Sequence, residues 1–405
     1  MSGSRGSEAL GTGAIGARVR RAAGRAGARF VALGDAAAAR RSRGKQVVAD
    51  DLTAWSHARG LDVVTVSPPQ EWDRRLPTAL DGSVEPNFDV RRHARIAERT
   101  LVCLPRARVW DASGLLILPD GSFSSQSVYN RARLESLHEF YSPPPWRVIR
   151  IPGDSFSLLG PFSNTTNYYH WMHDGLLRLH QVGGHLPSTV KYLVPSTTRP
   201  WMVDTLEMLG LGEDRLIRVP KGRAVECERL WYASLPPKSA TVPEATAWLR
   251  DQLWSAAGVD RPDPRRRLYL SRDPTGHARV VNESELVPVL ARYRFELLRP
   301  ERMSIRDQVR CFSEAEAVIS ATSSGLGNLV YAGAETKTLE LLEPAWAAES
   351  AYIVWQLTEA MGQRHCYLTG ETVPNPLHPE RADLRVPASS MERALNEWLG
   401  AAPLH

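Results

Sequence analysis

Short apolar runs alternate with amphipathic stretches through the last third of the chain. The runs are RLYLS, FELLRP, EAVIS, TLELL and HCYLT, which begin at residues 267, 295, 316, 338 and 365. Capping signals, Asn282 with Glu285 and Ser304 with Asp307, open helices between the first three runs. Strands separated by helices of about ten residues predict right-handed crossovers and a parallel sheet covered on both faces.

The preceding part of the chain mixes strand-like and helical patterns less regularly. Strand-like runs are LDVVTV, GLLILPDGSFSS, KYLVP and RLIRVP, and helical stretches follow Asn167 and the Arg199-Pro200 pair. The segment GVDRPDPRRR, residues 258–267, holds two prolines, a glycine and several charges, and is typical of a linker. A length of 405 residues suggests two domains. We therefore expect an α/β protein with one domain over 46–257 and another over 264–405.

The first 45 residues consist almost entirely of Gly, Ala, Ser and Arg. So little large apolar surface cannot offset the entropy of ordering, which predicts a disordered basic tail over 1–45. The stretch from Ala14 to Leu33 leaves open a second reading, because apolar residues recur there at helical spacing opposite arginines. Such a basic helix would make peripheral contact with an anionic membrane.

Charge and cysteine content exclude several classes of protein. The formal charge is +5, but ten of the 50 Lys and Arg residues lie in the tail, so the remainder is close to neutral. Because no basic stripe interleaved with aromatics is present, we expect no nucleic-acid partner. The four cysteines show no zinc-like spacing, and no apolar run reaches the roughly 20 residues of a membrane span. These features favour a cytoplasmic protein, with a position at the inner face of the plasma membrane left open by the tail.

The stretch NYYHWMHDGLLRL, Asn167–Leu179, is unusual for its polar residues. With Asn167 as N-cap and about 100° per residue, four polar residues share one arc of the helix: His170, His173, Asp174 and Arg178. The arc allows three readings: a solvated face, a metal site, or a catalytic group. A metal site on one helix usually places its ligands at i and i+4, whereas these histidines are three apart, so no metal is expected.

Three predicted strand ends carry polar or small residues. They are Ser271 and Arg272, the segment 322–325, and Glu340. Ligands of a parallel α/β sheet bind at the carboxyl ends of its strands, so these groups are expected to face one pocket. Arginine is suited to phosphate, and free N–H groups at a helix start hold anions. No Walker loop or GxGxxG motif is present.

Taken together and in this order, these stretches resemble glycosyltransferase family 61, which includes capsular-polysaccharide proteins. The matching residues are Asn167, Tyr169, His170 and Asp174; Ser271, Arg272, Arg279, Asn282 and Glu283; Gly325, Leu326 and Asn328; and Leu339–Leu341. The resemblance covers roughly 162–344. It implies a GT-B architecture of two Rossmann-like domains facing a cleft, with the acceptor on the side of 46–257 and the nucleotide-sugar on 264–405.

The resemblance also implies the chemistry. The enzyme would be an inverting hexosyl- or pentosyltransferase that moves sugar from a nucleotide-sugar to a glycan or glycoconjugate acceptor, with no cofactor and no obligatory metal. Asp174 would be the base, assisted by His170. Donor-binding residues would be Arg272, Ser271, Asn282, Thr322, Ser324, Gly325, Asn328 and Glu340, and acceptor-side residues Asn167, Tyr169 and His173.

One departure from the family pattern keeps other functions open. Thr322, Ser323 and Ser324 stand where the family usually has His-Gly-Ala. Loss of that histidine is compatible with a different donor, or with a catalytically impaired homologue that binds glycan or nucleotide-sugar. A metal-dependent hydrolase using His170, His173 and Asp174 is a further alternative.

Overall fold

The computed structural model describes residues 47–110, 113–137, 148–161, 167–235, 241–272, 278–379 and 381–400, apart from the side chains of 345–351. The predicted tail and its membrane contact lie outside these residues. The strands are β1 Val48–Ala49, β2 Val63–Ser67, β3 Gln70–Asp73, β4 Thr78–Ala79, β5 His93–Ile96, β6 Arg99–Pro105, β7 Arg108–Trp110, β8 Leu116–Ile117, β9 Phe123–Ser124, β10 Ile149–Ser157, β11 Lys191–Pro195, β12 Leu216–Val219, β13 Ala224–Ala233, β14 Arg266–Leu270, β15 Phe295–Leu298, β16 Ala315–Ala321, β17 Lys337–Leu342, β18 Arg364–Thr369, β19 Glu371–Val373 and β20 Asp383–Arg385.

The helices include both regular and tighter or wider segments. The α-helices are α1 Leu52–His57, α2 Pro86–Val90, α3 Arg131–Glu135, α4 Tyr168–His170, α5 Arg178–Gln181, α6 Pro200–Met208, α7 Pro243–Ala257, α8 Glu283–Arg292, α9 Ile305–Ser313, α10 Pro344–Ala360 and α11 Ala388–Leu399. A π-helical turn, Trp171–Leu176, lies between α4 and α5, and the 3-10 helices are Ser125–Val128, Glu213–Arg215, Pro300–Arg302 and Ser324–Tyr331.

The first sheet is mixed and has ten strands. Its path is β1-β9-β8-β7-β13-β10-β11-β12, and β6 joins it through β13 and carries β2. Strands β10, β11, β12 and β13 pair with one another in parallel. Strand β13 also pairs antiparallel with β6 and β7. The predicted strands at KYLVP and RLIRVP are confirmed, as is the helix capped by Asn167.

The second sheet is the parallel sheet expected from the sequence. Its order is β15-β14-β16-β17-β18-β4, and every pairing is parallel. Ser304 caps α9 by accepting the amide of Asp307 at 3.1 Å, as predicted. Helix α8 also begins after Asn282 and ends at Arg292 as predicted, and the Asn282 amide donates to Glu285. The Asn282 side chain makes no capping hydrogen bond to the helix backbone and pairs with the backbone of Val386. The α/β class is thus established.

The sixth strand of this sheet comes from an unexpected part of the chain. Strand β4 pairs with Cys366 and Tyr367 of β18, although it lies within 46–257. The following helix α2 buries Phe88 against Trp355 and Tyr367, with ring centroids 5.3 and 5.2 Å away. Segment 46–257 therefore contributes strands to both sheets.

One apolar core lies between the two sheets. It joins side chains from both halves of the chain, among them Phe156, Met172, Leu249, Leu268 and Val309. The helical run 168–181, α7, α9 and the 3-10 helix Ser324–Tyr331 all contribute to it. The helix predicted to carry the chemistry is thus enclosed. Throughout the described residues, every helix is too short or too polar to cross a bilayer.

The packing of α2 on the second sheet predicts a stability effect. Replacing Phe88 by Ala leaves a cavity against Trp355 and Tyr367, so we expect the free energy of unfolding to fall by about 3 kcal/mol. Urea denaturation measures this change. Val90→Ala on the same helix is the control, because Val90 is exposed and should matter little. A loss at Phe88 no larger than that at Val90 would show that Phe88 does not anchor α2 to the second sheet.

Candidate active site

The run from Tyr168 to Gln181 is helical throughout but changes its winding. Asn167 caps it by accepting the amide of His170, and the middle turn is π-helical. A π turn is wider than an α turn, because its hydrogen bonds join residues five apart. His170 Nδ1 lies 2.6 Å from Asp174 Oδ2, and the rings of Tyr169 and His173 stack with centroids 4.3 Å apart.

The polar arc of this helix does not face water. His173, Asp174 and Arg178 are buried, and His170 is half-buried. The reading as a solvated face is therefore excluded. Because buried polar groups must find partners, each of these side chains constrains its surroundings.

Asp174 is the centre of a hydrogen-bonded cluster. Its Oδ2 accepts from His170 Nδ1 and, at 2.5 Å, from the hydroxyl of Tyr129. Burial, and then the nearby Asp174 carboxylate, raise the pKa of Tyr129 far above its usual value, so the phenol is neutral and donates. The cluster joins the helix to the turn between the first sheet's hairpin and α3.

Arg178 lies one helical turn beyond Asp174 and is almost completely buried, with 1% of its surface exposed. Its guanidinium donates to the carbonyl oxygens of Leu159 and Ala233 and lies over the rings of Phe156 and Tyr232. Burial lowers its pKa, and Asp174 acts in the opposite direction. A cation is thus held inside the protein on the Asp174 side of the helix.

The other side of the run packs against the 3-10 helix Ser324–Tyr331. His173 Nε2 donates to the carbonyl of Gly327, and the Tyr168 hydroxyl donates to Asn328 Oδ1 at 2.5 Å. A methyl group at Gly327 would touch Tyr169 and His173, so glycine permits this close approach. Tyr169 and His173, expected on the acceptor side, are instead enclosed in this contact.

A cavity of about 350 Å³ opens at the carboxyl ends of β14, β15 and β16, where the sequence predicted a pocket. Its lining is Tyr168, Trp201, Leu270, Ser271, Arg272, Pro300, Glu301, Gln308, Ser323, Ser324, Gly325 and Asn328. Five predicted donor-binding residues, Ser271, Arg272, Ser324, Gly325 and Asn328, therefore share one cavity. Asp174 and His170 do not line it.

Arg272 is the principal charge of the cavity. One guanidinium nitrogen lies 3.5 and 3.4 Å from the carbonyl oxygens of Ala278 and Thr322, and within the described chain it makes no ion pair. Burial, followed by the nearby Arg381, lowers its pKa. Glu301 and Asp383 act in the opposite direction on this pKa, but neither forms an ion pair with Arg272. A partly desolvated cation in contact with carbonyl dipoles is suited to an anionic ligand.

Two further predicted donor residues lie behind the cavity wall. The Thr322 hydroxyl donates to Glu340 Oε1 at 2.7 Å, and Glu340 is fully buried. Its other oxygen lies 3.3 Å from His365 Nε2 without hydrogen-bond geometry. The structure therefore places Glu340 where it contacts protein groups rather than the cavity.

Asn282 also lies away from the cavity. Both ends of its amide bond the backbone of Val386, and Nδ2 reaches Glu285. Arg279 beside it pairs with Asp383 at 2.7 Å. Asn282 and Arg279, two residues of the family pattern, thus connect the start of α8 to the hairpin of β19 and β20.

Several residues of the site carried no signal in the sequence. Trp201 and Glu301 reach the cavity from α6 and from a 3-10 turn, and Gln308 supports it by accepting from Asn328. Tyr129 joins Asp174 across 45 positions of sequence. Within the described chain, no cluster of three or more His, Cys, Asp or Glu side chains is arranged to hold a metal ion.

Burial of His173 predicts a pH effect on stability. Burial lowers its pKa to about 4 from 6.5, against the opposing effect of the Gly327 carbonyl. Below pH 6.5 His173 is therefore protonated in the unfolded chain but stays neutral in the native state. The free energy of unfolding falls as the pH decreases toward 4. Between pH 7.5 and pH 5 this costs about 2 kcal/mol.

Urea unfolding at both pH values tests this effect. His173→Gln should reduce the loss of stability on acidification by about that amount, whereas His185→Gln, at an exposed loop position, should leave it unchanged. Equal losses in the wild type and His173→Gln would contradict a buried neutral His173.

Comparison with known proteins agrees with this geometry. Residues 168–339 match the family model described as Glycosyltransferase 61. The match begins at the helical run of Asp174 and includes the strands and loops around Arg272. No curated protein matches the chain. Over residues 168–339 the chain is therefore similar to glycosyltransferase family 61, and this similarity supports a glycosyltransferase.

Proposed function

We propose that this protein transfers a sugar from a nucleotide-sugar to a hydroxyl group of a glycan or glycoconjugate, with inversion at the anomeric carbon. The observation that carries the proposal is Arg272, a partly buried cation that faces a cavity at the strand ends and forms no ion pair with a described residue. A diphosphate bound in the cavity would place an anion in direct contact with this guanidinium. A GT-B arrangement is part of the proposal and is supported by the two sheets on either side of the enclosed helix.

Further features of the cavity suit a nucleotide diphosphate. Ser324 and Gly325 stand in the first turn of a 3-10 helix, whose leading N–H groups have no carbonyl partner within the helix. Such groups and the helix dipole favour phosphate. Trp201, edge-on to Tyr168 at 5.3 Å, offers an aromatic surface for a base. Glu301, rather than the buried Glu340, is then the carboxylate available to ribose hydroxyls.

The reaction needs a base for the acceptor and positive groups for the leaving diphosphate. The acceptor oxygen attacks the anomeric carbon, the carbon–oxygen bond to the diphosphate breaks, and the proton passes to Asp174. His170 donates to this carboxylate and so orients it. Arg272 and the amides near Gly325 stabilise the diphosphate as it leaves. No step in this scheme calls for a cofactor.

The biological setting follows from the family resemblance alone. We propose synthesis of surface or capsular polysaccharide in the cytoplasm, with hexosyl or pentosyl transfer. The alternative of a catalytically impaired homologue that only binds glycan or nucleotide-sugar is not favoured, because Asp174 and Arg272 are both retained in suitable surroundings.

Donor binding should depend on Arg272. Removing its charge-assisted hydrogen bonds costs about 1.5–3 kcal/mol, so Arg272→Met should weaken nucleotide-sugar binding roughly 10- to 100-fold. Thermal shift with UDP-, GDP- and CDP-sugars measures it, because ligands that bind the native state raise its apparent stability. Arg302→Met is the control, an exposed cation nearby that does not line the cavity. Equal shifts for wild type and Arg272→Met would place the donor elsewhere.

Turnover should depend on Asp174. A general base contributes about 10²- to 10⁴-fold, so Asp174→Asn should lower kcat by that order while donor binding persists. Release of nucleoside diphosphate from the donor that binds best, assayed with a glycan acceptor panel and with water, gives the rate. Asp251→Asn, at a mostly exposed position of α7, is the matched control. Full activity of Asp174→Asn would remove Asp174 from the mechanism.

A further inference from the structure

Tyr129 adopts a backbone conformation that its side chain does not favour. Its φ is 78° and its ψ is −46°, in a region that costs a bulky residue about 1–3 kcal/mol. Such a conformation persists only where the surrounding structure imposes it. Two firm elements do so here.

The chain on both sides of Tyr129 is fixed by side-chain hydrogen bonds. Before it, the Ser127 hydroxyl accepts the amide of Leu116 and donates to the carbonyl of Ser124. After it, Asn130 caps α3 by accepting the amide of Arg133 at 2.9 Å. The strained residue is therefore held between two anchored segments, and its ring is directed to the helical run.

The strained turn places the hydroxyl group of Tyr129 against one oxygen of the Asp174 carboxylate. Tyr129 donates to the same Oδ2 of Asp174 that accepts His170 Nδ1, at 2.5 and 2.6 Å. Two donors from different directions remove the freedom of the carboxylate to rotate. The second oxygen, Oδ1, makes no hydrogen bond to any residue that the structure describes, which leaves it for an acceptor hydroxyl.

We propose that Tyr129 is a positioning residue for the base: with His170, it fixes the Asp174 carboxylate so that Oδ1 meets the proton of the acceptor. This inference rests on the proposed function of Asp174 and adds a residue outside the segment that matches the family model. Tyr129 touches no substrate and acts through Asp174.

Among the described residues, further charged and titratable groups act on this cluster. Arg178 lies in the next turn, and His173 and Tyr169 interact with Asp174 within the helix. Arg133 interacts with Tyr129 from α3. Arg178 is engaged by backbone carbonyls, and His173 by Gly327, so Tyr129 and His170 are the groups that bond Oδ2 directly.

Tyr129→Phe tests the proposal because it keeps the ring and removes only the hydroxyl. We expect kcat to fall roughly 10- to 100-fold, since small misplacement of a reacting group has effects of that size, while KM for the donor is unchanged. Tyr293→Phe is the matched control, because its hydroxyl bonds Asn396 away from the site. Wild-type kcat in Tyr129→Phe alongside an inactive Asp174→Asn would overturn the role of Tyr129 alone. Full activity of Asp174→Asn would instead refute Asp174 as the base, and the proposed role of Tyr129 would then fail with it.

A second measurement does not need turnover. In histidine-labelled protein, the Nδ1 proton of His170, assigned with His170→Gln, reports its hydrogen bond to Asp174. Removing the competing donor at Oδ2 strengthens that bond, so the proton should shift to lower field in Tyr129→Phe and not in Tyr293→Phe. An unchanged resonance would show that Tyr129 only packs against the helix and would overturn the proposal.

Discussion

The arrangement of the site depends on the burial of a polar helix between two sheets. Within six residues the helix carries two histidines and an aspartate, and an arginine follows one turn later. Once these groups leave water, each must be paired, because an unsatisfied buried polar group costs about 1–3 kcal/mol. Asp174 therefore requires donors, Arg178 requires carbonyls, and His173 requires an acceptor from the facing segment. These hydrogen bonds position the first sheet, the turn at Tyr129 and the 3-10 helix Ser324–Tyr331 around the helical run 168–181.

The same principle explains the asymmetry of the two charged centres. Asp174 is fully engaged on one oxygen by protein donors, as suits a group that must be oriented before it accepts a proton. Among the described residues Arg272 makes two long contacts to carbonyls and no ion pair, as suits a group that binds a ligand. The helical run connects them, because Tyr168 at its start borders the cavity while Asp174 lies further along. The proposed direct displacement of a diphosphate requires an oriented base and a cation on one framework, and Asp174 and Arg272 are the groups proposed for these roles.

Features encoded locally could be predicted from the sequence. The five apolar runs gave the strands of the second sheet, and the Ser304 cap and the helix start at Asn167 were found, because these signals lie within a few residues. The cavity at the strand ends followed from the parallel topology. Contacts between distant segments could not be predicted: strand β4 is two residues long, and Trp201 reaches the cavity from a helix with no motif. Tyr129 was missed because a positive φ at a non-glycine residue has no sequence signature. For Glu340 and Asn282, which the family resemblance places at the donor, sequence does not reveal that tertiary contacts occupy their side chains.

The central claim is that the cavity around Arg272 holds the diphosphate of the donor within reach of the helix that carries Asp174. The most direct test is a crystal structure with the nucleoside diphosphate whose sugar gives the largest thermal stabilisation. The account predicts phosphate oxygens within hydrogen-bond distance of the Arg272 guanidinium and of the amides of Ser324 and Gly325, with the terminal phosphate on the side of the helical run. A nucleotide bound outside this cavity, or one whose phosphates avoid Arg272, would contradict it.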